Sequence, residues 1–266
     1  MAFRQPYVGG NWKMNLNRQR ATELCRAVAE SEHQQSGVDV AIFPAFVHLD
    51  AAGATLDLAK SDVALGAQDF YPAPDGAFTG EISIAMLKDL GVQTVLVGHS
   101  ERRHVIGEPD DLIAKKTAAA LNAGLTCVLC VGETLEQRQA SATDQINESQ
   151  LRSALTDCQL TDTAKLVVAY EPVWAIGTGK TATPADAQTA HHKIRSVLAD
   201  IFDSSTAGAI RVIYGGSVKP ANAVELFSQS DIDGGLIGGA ALDPSSFSEI
   251  SNAARNAVRP QGATQL

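Results

Sequence analysis

The chain has 266 residues, 45% of them apolar, and a formal net charge of −9. That apolar share suffices for a large core, and the acidic balance argues against a nucleic-acid or anionic-membrane partner, each of which needs a basic face. An anionic small molecule stays possible, because local donors outweigh net charge at short range.

No run reaches the roughly 18 apolar residues of a membrane-spanning helix. The segment Met1 to Pro6 carries no signal-peptide core, so a cytoplasmic location is expected. Four cysteines, Cys25, Cys127, Cys130 and Cys158, fit a reduced compartment rather than a disulfide framework. Cys127 and Cys130 form a C-x-x-C, but inside the apolar run Leu125 to Val131. In a strand, residues three apart face opposite sides, and no second ligand pair at zinc spacing accompanies them. The pair reads as structural, with no metal.

In chain order, short β-branched runs alternate with longer amphipathic stretches. The runs are Tyr7 to Asn11, Val38 to Phe43, Val63 to Gly66, Thr94 to Gly98, Thr126 to Val131, Leu166 to Tyr170, Arg211 to Tyr214 and Gly235 to Gly238. They are nearly continuously apolar, as parallel strands covered on their outer face should be. Helices are predicted over Arg18 to Ser31, Ile113 to Ala123, Thr183 toward Leu198, Pro220 to Phe227 and Ser246 to Val258. Gly124 supplies a stop, Thr183 an N-cap and Pro184 the first helical position. Eight strand–helix units in about 250 residues predict an α/β fold, a closed (β/α)₈ barrel in a single domain; an open doubly wound sheet fits less well. The domain is read over residues 1–258, with 259–266 a loose tail.

In such a barrel the chemistry gathers at the C-terminal strand ends. Strand one ends in Asn11-Trp12-Lys13, and period-two alternation puts Asn11 and Lys13 on one face. Strand four ends in Gly98-His99-Ser100-Glu101, strand five in Gly132-Glu133, and strand six delivers Glu171. Strands seven and eight end in Tyr214-Gly215-Gly216-Ser217 and Gly238-Gly239. Singly, Lys13 could be a solvated rim charge, His99 a structural histidine, and the glycine pairs tight turns. Together they put a cation, an imidazole and a carboxylate at one mouth, beside two Gly-rich turns where this architecture binds phosphate. Pro172 followed by an apolar tip and Gly177 and Gly179 reads as a lid over residues 172–182, hinged beside Glu171. The G-K-T at Gly179-Lys180-Thr181 lacks the upstream glycine of a nucleotide loop.

The stretches Asn11-Trp12-Lys13-Met14-Asn15, Gly98-His99-Ser100-Glu101-Arg102-Arg103, Ala169 to Gly179 and Tyr214-Gly215-Gly216-Ser217-Val218 closely resemble those of the triosephosphate isomerase family. Gly76 to Glu81 and Ile237 to Ala240 extend the likeness, which runs in order from about residue 6 to residue 255. The resemblance implies a TIM barrel and an isomerase of glycolysis and gluconeogenesis. Such an enzyme would interconvert dihydroxyacetone phosphate and D-glyceraldehyde 3-phosphate through an enediolate, without metal or organic cofactor. It implies Glu171 as base, neutral His99 as electrophile and Lys13 as electrostatic stabiliser. Asn11, Lys13, Gly177, Ser217, Gly238 and Gly239 would bind substrate.

Physical chemistry sharpens two of these roles. Desolvation by the lid should raise the proton affinity of Glu171. A helix opening at Ser100 should disfavour a His99 imidazolium. Glu101 could pair with Lys13, or with Arg102 or Arg103. The resemblance also implies a homodimer, docked through the loop after strand three with Thr79 reaching the neighbouring site. Asp69 departs there from the family's usual Asn, while Pro72 and Pro74 should stiffen the loop. Ala241 and Asp243 depart from more polar or basic residues near the phosphate turn. Two rival readings are a different sugar-phosphate barrel enzyme and a non-catalytic phosphate-binding protein on the same fold.

Overall fold

The computed structural model describes residues 4–33, 35–156, 158–176 and 182–257. Eight parallel strands close into a barrel in sequence order. They are β1 (Tyr7–Asn11), β2 (Asp39–Phe43), β3 (Ala64–Ala67), β4 (Thr94–Val97), β5 (Thr126–Val131), β6 (Leu166–Tyr170), β7 (Arg211–Tyr214) and β8 (Gly234–Ile237). Closure is made where β1 pairs both β2 and β8, Tyr7 standing opposite Asp39 on one side and Gly234 on the other. The predicted strands stand, with β2 and β4 one residue shorter and β3 and β8 shifted by one residue.

Helices jacket the barrel: α1 (Arg18–Ser31), α2 (Leu49–Ala59), α3 (Ile84–Asp89), α4 (Asp110–Asn122), α5 (Leu135–Gln139), α6 (Thr143–Leu155), α7 (Pro184–Ile201), α8 (Ser204–Ala209), α9 (Pro220–Phe227) and α10 (Pro244–Asn256). The sequence assigned no individual helix to the crossovers now holding α2, α3, α5, α6 and α8. Helix α4 starts three residues earlier than predicted, with extended Pro109 at the N-cap position and Asp110 and Asp111 complementing the N-terminal dipole. Helix α7 begins as predicted, Thr183 and Asp186 exchanging hydrogen bonds as a capping box ahead of Pro184. Asp243, one of the departures from the family pattern, caps α10 by accepting the Ser246 N–H at 2.8 Å. The expected tail, 259–266, lies outside the described residues.

The core has two layers, set by the strand period of two. Tyr7, Phe43, Leu96, Val128, Cys130, Val167, Ala169, Ile213 and Leu236 fill the barrel. The alternate residues, among them Val8, Ile42, Val95, Cys127, Leu129 and Val168, pack outward under the helices. Cys127 and Cys130 therefore face opposite sides of β5, as expected. Cys25, Cys127 and Cys130 are buried and Cys158 is half-buried; burial pushes the Cys25 thiol up to about 12 and the Cys130 thiol well above its ordinary value.

The loop after β3 is anchored by charge. Asp69 is buried and accepts from Lys116 Nζ at 2.6 Å, while its other oxygen lies 2.9 Å from Arg102. Lys116 and Arg102 also both contact Glu108. Two carboxylates and two cations thus join this loop to α4 and to the turn after β4. Farther along the loop, Phe78 packs on Tyr71 with ring centroids 4.6 Å apart and stays partly exposed.

Candidate active site

Alternation along β6 turns Val167 and Ala169 inward, and the ladder continues one residue beyond the strand, where the Glu171 N–H donates to Val131 O at 2.7 Å. The Glu171 carboxylate therefore enters the barrel mouth, 2% exposed. One oxygen accepts the Ser100 N–H at 2.8 Å and the other lies 3.0 Å from His99 Nε2. Such proximity needs Gly215, whose Cβ, if present, would stand 2.8 Å from Glu171 Cγ.

His99 follows Gly98, whose φ of +68° takes the chain out of β4. A helical turn opens at Ser100 and widens into a π-helical turn over Arg102–Ile106. The Glu101 N–H donates to His99 Nδ1 at 3.2 Å, so the ring's proton belongs on Nε2, facing Glu171. Burial alone would lower the proton affinity of His99, but the Glu171 carboxylate outweighs it and raises the imidazole above its ordinary value. Burial alone would likewise push Glu171 up. The His99 ring, the Ser100 N–H and Lys13 outweigh it and hold the carboxyl below its usual range. Both directions are opposite to those expected from the lid and the helix terminus alone. The reason is the direct pairing of the two groups in the substrate-free site.

Lys13 reaches the same cavity by a different route from the one expected. The strand stops at Asn11, and Lys13 takes a left-handed φ of 52°, so period-two alternation does not set its direction. Two side chains pin this backbone. Asn11 Oδ1 accepts the Lys13 N–H at 3.0 Å, and Gln68 Nε2 donates to Lys13 O and to Phe43 O, each at 2.9 Å. The Lys13 ammonium donates to Glu101 at 2.6 Å. Arg102 and Arg103 pair instead with Glu108 and Asp110. Trp12 turns outward and is buried.

Asn11, Lys13, His99, Glu101, Glu171, Ser217, Gly238 and Gly239 line one cavity of about 680 Å³, with Ile176 at its edge. A cavity of about 660 Å³ at the opposite end of the barrel is lined by Tyr7, Asp39, Thr94 and Arg211 and has no carboxylate–imidazole pair. Of the predicted site residues, only Gly177 lies outside the described residues, as does 177–181 of the segment read as a lid. Gln68 escaped the sequence reading, although it stands just past β3, where the same strand-end argument would have found it. His191 is on α7 but fully buried, and His48 is buried in a 3₁₀ turn over Phe46–His48.

Comparison with known proteins agrees with this geometry. The triosephosphate isomerase family model matches residues 6–254. Proteins named triosephosphate isomerase from Magnetococcus marinus, Syntrophotalea carbinolica and Rhodopirellula baltica are 51%, 47% and 45% identical to the chain over 252, 248 and 254 residues. These matches cover 93–96% of this chain and 98–99% of the relatives. A closed eight-stranded parallel barrel, a buried carboxylate–imidazole pair at its mouth and this end-to-end likeness agree: the chain belongs to the triosephosphate isomerase family and is an isomerase of triose phosphates.

Proposed function

We propose that Glu171, His99 and Lys13 carry the interconversion of dihydroxyacetone phosphate and D-glyceraldehyde 3-phosphate in this chain. The carrying observation is the buried Glu171 carboxylate, 3.0 Å from His99 Nε2 in a cavity that Lys13 also lines. Substrate inserts between carboxylate and imidazole. Glu171 removes a proton from one carbon and returns it to the next, while His99 donates its Nε2–H to the oxygen that gains charge. Parting the pair removes the contact that raises His99, and the Glu101 N–H keeps Nδ1 unprotonated, so the ring works neutral. Lys13 stabilises the enediolate, a role comparable to oxyanion donors worth about 3–4 kcal/mol.

Ser217, Gly238 and Gly239 hold the phosphate through backbone N–H groups, with Asn11 beside Lys13. The same reading adds Gly177. Ile176, at the start of the segment read as a lid, brings apolar surface to the base. Excluding water there strengthens the electrostatic contacts and suppresses expulsion of phosphate from the enediolate. The reading treats 1–258 as one catalytic domain, working in the cytoplasm. It also makes the protein a homodimer. Exposed Met14, Val47, Phe78 and Met86 support an apolar docking face, Phe78 and Met86 lining one shallow hollow at the loop after β3.

A coupled assay with each triose phosphate tests the reading, and sedimentation at twice the chain's mass tests the dimer. Glu171→Asp should lower kcat about 10²–10³-fold with little change in KM, because the base retreats by one methylene from its proton. An unchanged kcat would remove Glu171 from the role.

A further inference from the structure

Arg138 lies outside the catalytic cavity, on α5, yet touches both described ends of the connection between β6 and α7. Its guanidinium carbon stands 4.4 Å from the centroid of the Trp174 ring. One terminal nitrogen lies 3.2 Å from Asp186 and the other 3.7 Å from Glu133. Trp174 belongs to the 3₁₀ turn over Val173–Ala175 that follows Pro172. Asp186 belongs to the first turn of α7, where it also accepts from Thr183 Oγ1 at 2.7 Å. Helix α5 is itself fixed at its start, Thr134 and Gln137 forming a capping box, so Arg138 projects from a firm base.

Glu133 explains why a guanidinium suits this place. Its carboxylate is fully buried and accepts the Trp174 indole N–H at 2.9 Å and the Tyr170 hydroxyl at 3.1 Å. A buried carboxylate needs a compensating cation. Arg138 supplies it while its guanidinium lies over the indole ring, a combination that a lysine ammonium cannot reproduce. Only one residue, the buried Ala175, separates Trp174 from Ile176. The backbone between them is tied locally, the Ala175 N–H donating to Pro172 O at 2.7 Å and the Ile176 N–H to Val173 O at 3.2 Å.

We propose that Arg138 is a positioning residue. By gripping Trp174, Glu133 and Asp186 at once, it fixes the turn after Glu171 against the start of α7 and so holds Ile176 over the base. The catalytic consequence rests on the reading of Glu171 as base; the grip itself does not.

The test uses the full-length protein with Arg138→Met, which keeps a long apolar side chain, and Arg138→Lys, which keeps the charge. Trp12 is 1% exposed, so acrylamide quenching of fluorescence reports chiefly on Trp174. Quenching of the substrate-free protein should rise clearly in Arg138→Met and less in Arg138→Lys. In Arg138→Met, kcat should fall about tenfold with KM changed less, as expected for a displaced near-attack geometry. The share of turnovers that release inorganic phosphate should grow, and Arg138→Lys should recover part of both losses. Should Arg138→Met not fold, Arg138→Lys is read alone and must still show raised quenching and lowered kcat. Unchanged quenching overturns the grip. A lower melting temperature with kcat within about twofold of wild type overturns the positioning role. A wild-type protein without isomerase activity would refute the catalytic reading instead, and quenching would still decide the grip.

Discussion

Glu171 and His99 meet directly, carboxylate oxygen to Nε2 at 3.0 Å, in a site without substrate. The contact sets the proton affinities of both groups: it raises the imidazole and lowers the carboxyl. Glu171→Gln should therefore bring the His99 titration down, leaving burial, the first cause acting on the ring, to dominate. A ¹⁵N-edited NMR titration of the two proteins measures it. A His99 value that stays or rises in the variant contradicts the pairing.

Gly215 gives a steric test of the same site. A methyl group there would press on Glu171 Cγ at 2.8 Å and lie 3.3 Å from Tyr170 O. Gly215→Ala should displace the carboxylate and lower kcat about 10–100-fold, a loss typical of ångström-scale misplacement. Steady-state kinetics in both directions would show it, and wild-type kcat in the folded variant would mean that the carboxylate tolerates the shift.

His191 predicts a pH dependence of stability. Burial lowers its pKa from 6.5 to about 4, while the unfolded chain protonates near the ordinary value. The unfolded state thus binds more protons between these values. The contribution is fully present above about 6.5, is lost as pH falls, and levels off below about 4. A shift of this size amounts to about 3 kcal/mol. Urea unfolding at a series of pH values should show that slope in wild type and lose it in His191→Gln. Equal slopes would assign the effect to other groups.

Lys116 holds two buried carboxylates, Asp69 and Glu108. Lys116→Met leaves Arg102 as the only one of the cluster's two cations, so stability at neutral pH should fall by about 3–5 kcal/mol. Burial already raises Asp69, despite Lys116 and Arg102 beside it. A carboxylate raised in the folded state costs stability as pH rises through that raised value and regains it on protonation. The deficit of the variant should accordingly shrink toward acid pH, and Glu108→Gln placed on top of Lys116→Met should recover part of it. A deficit that is flat with pH would mean that packing, not charge, sets the cost.

The strand pattern made the barrel legible, because parallel strands covered by helices leave apolar runs with little ambiguity. Glu171, His99 and Asn11 were readable for the same reason: each stands at or just past the end of such a run. Lys13 was assigned to the right cavity for a reason that fails, since its left-handed φ arises from contacts with Asn11 and Gln68 that no local pattern encodes. In the substrate-free site the proton affinities run opposite to the expectation, because the helix terminus is adjacent in sequence to His99, whereas Glu171 is 72 residues away and only the fold brings it to 3.0 Å. Arg138 left no signal at all. Its meaning depends on Trp174 and Asp186, which the chain joins to it only through the closed sheet and its helical jacket.

The buried sulfurs have a use of their own. Thiolate is the form that alkylating agents attack, and burial holds Cys25, Cys127 and Cys130 far from it. Each sulfur sits at a different depth. Cys25 donates toward Ala52 O between α1 and α2, Cys127 lies between barrel and jacket, and Cys130 lies inside the barrel. The native molecule hides all three, so each becomes a timestamp when its layer parts. Pulsed alkylation followed by mass spectrometry would date the separation of helix from helix, jacket from barrel, and strand from strand in a single unmodified chain.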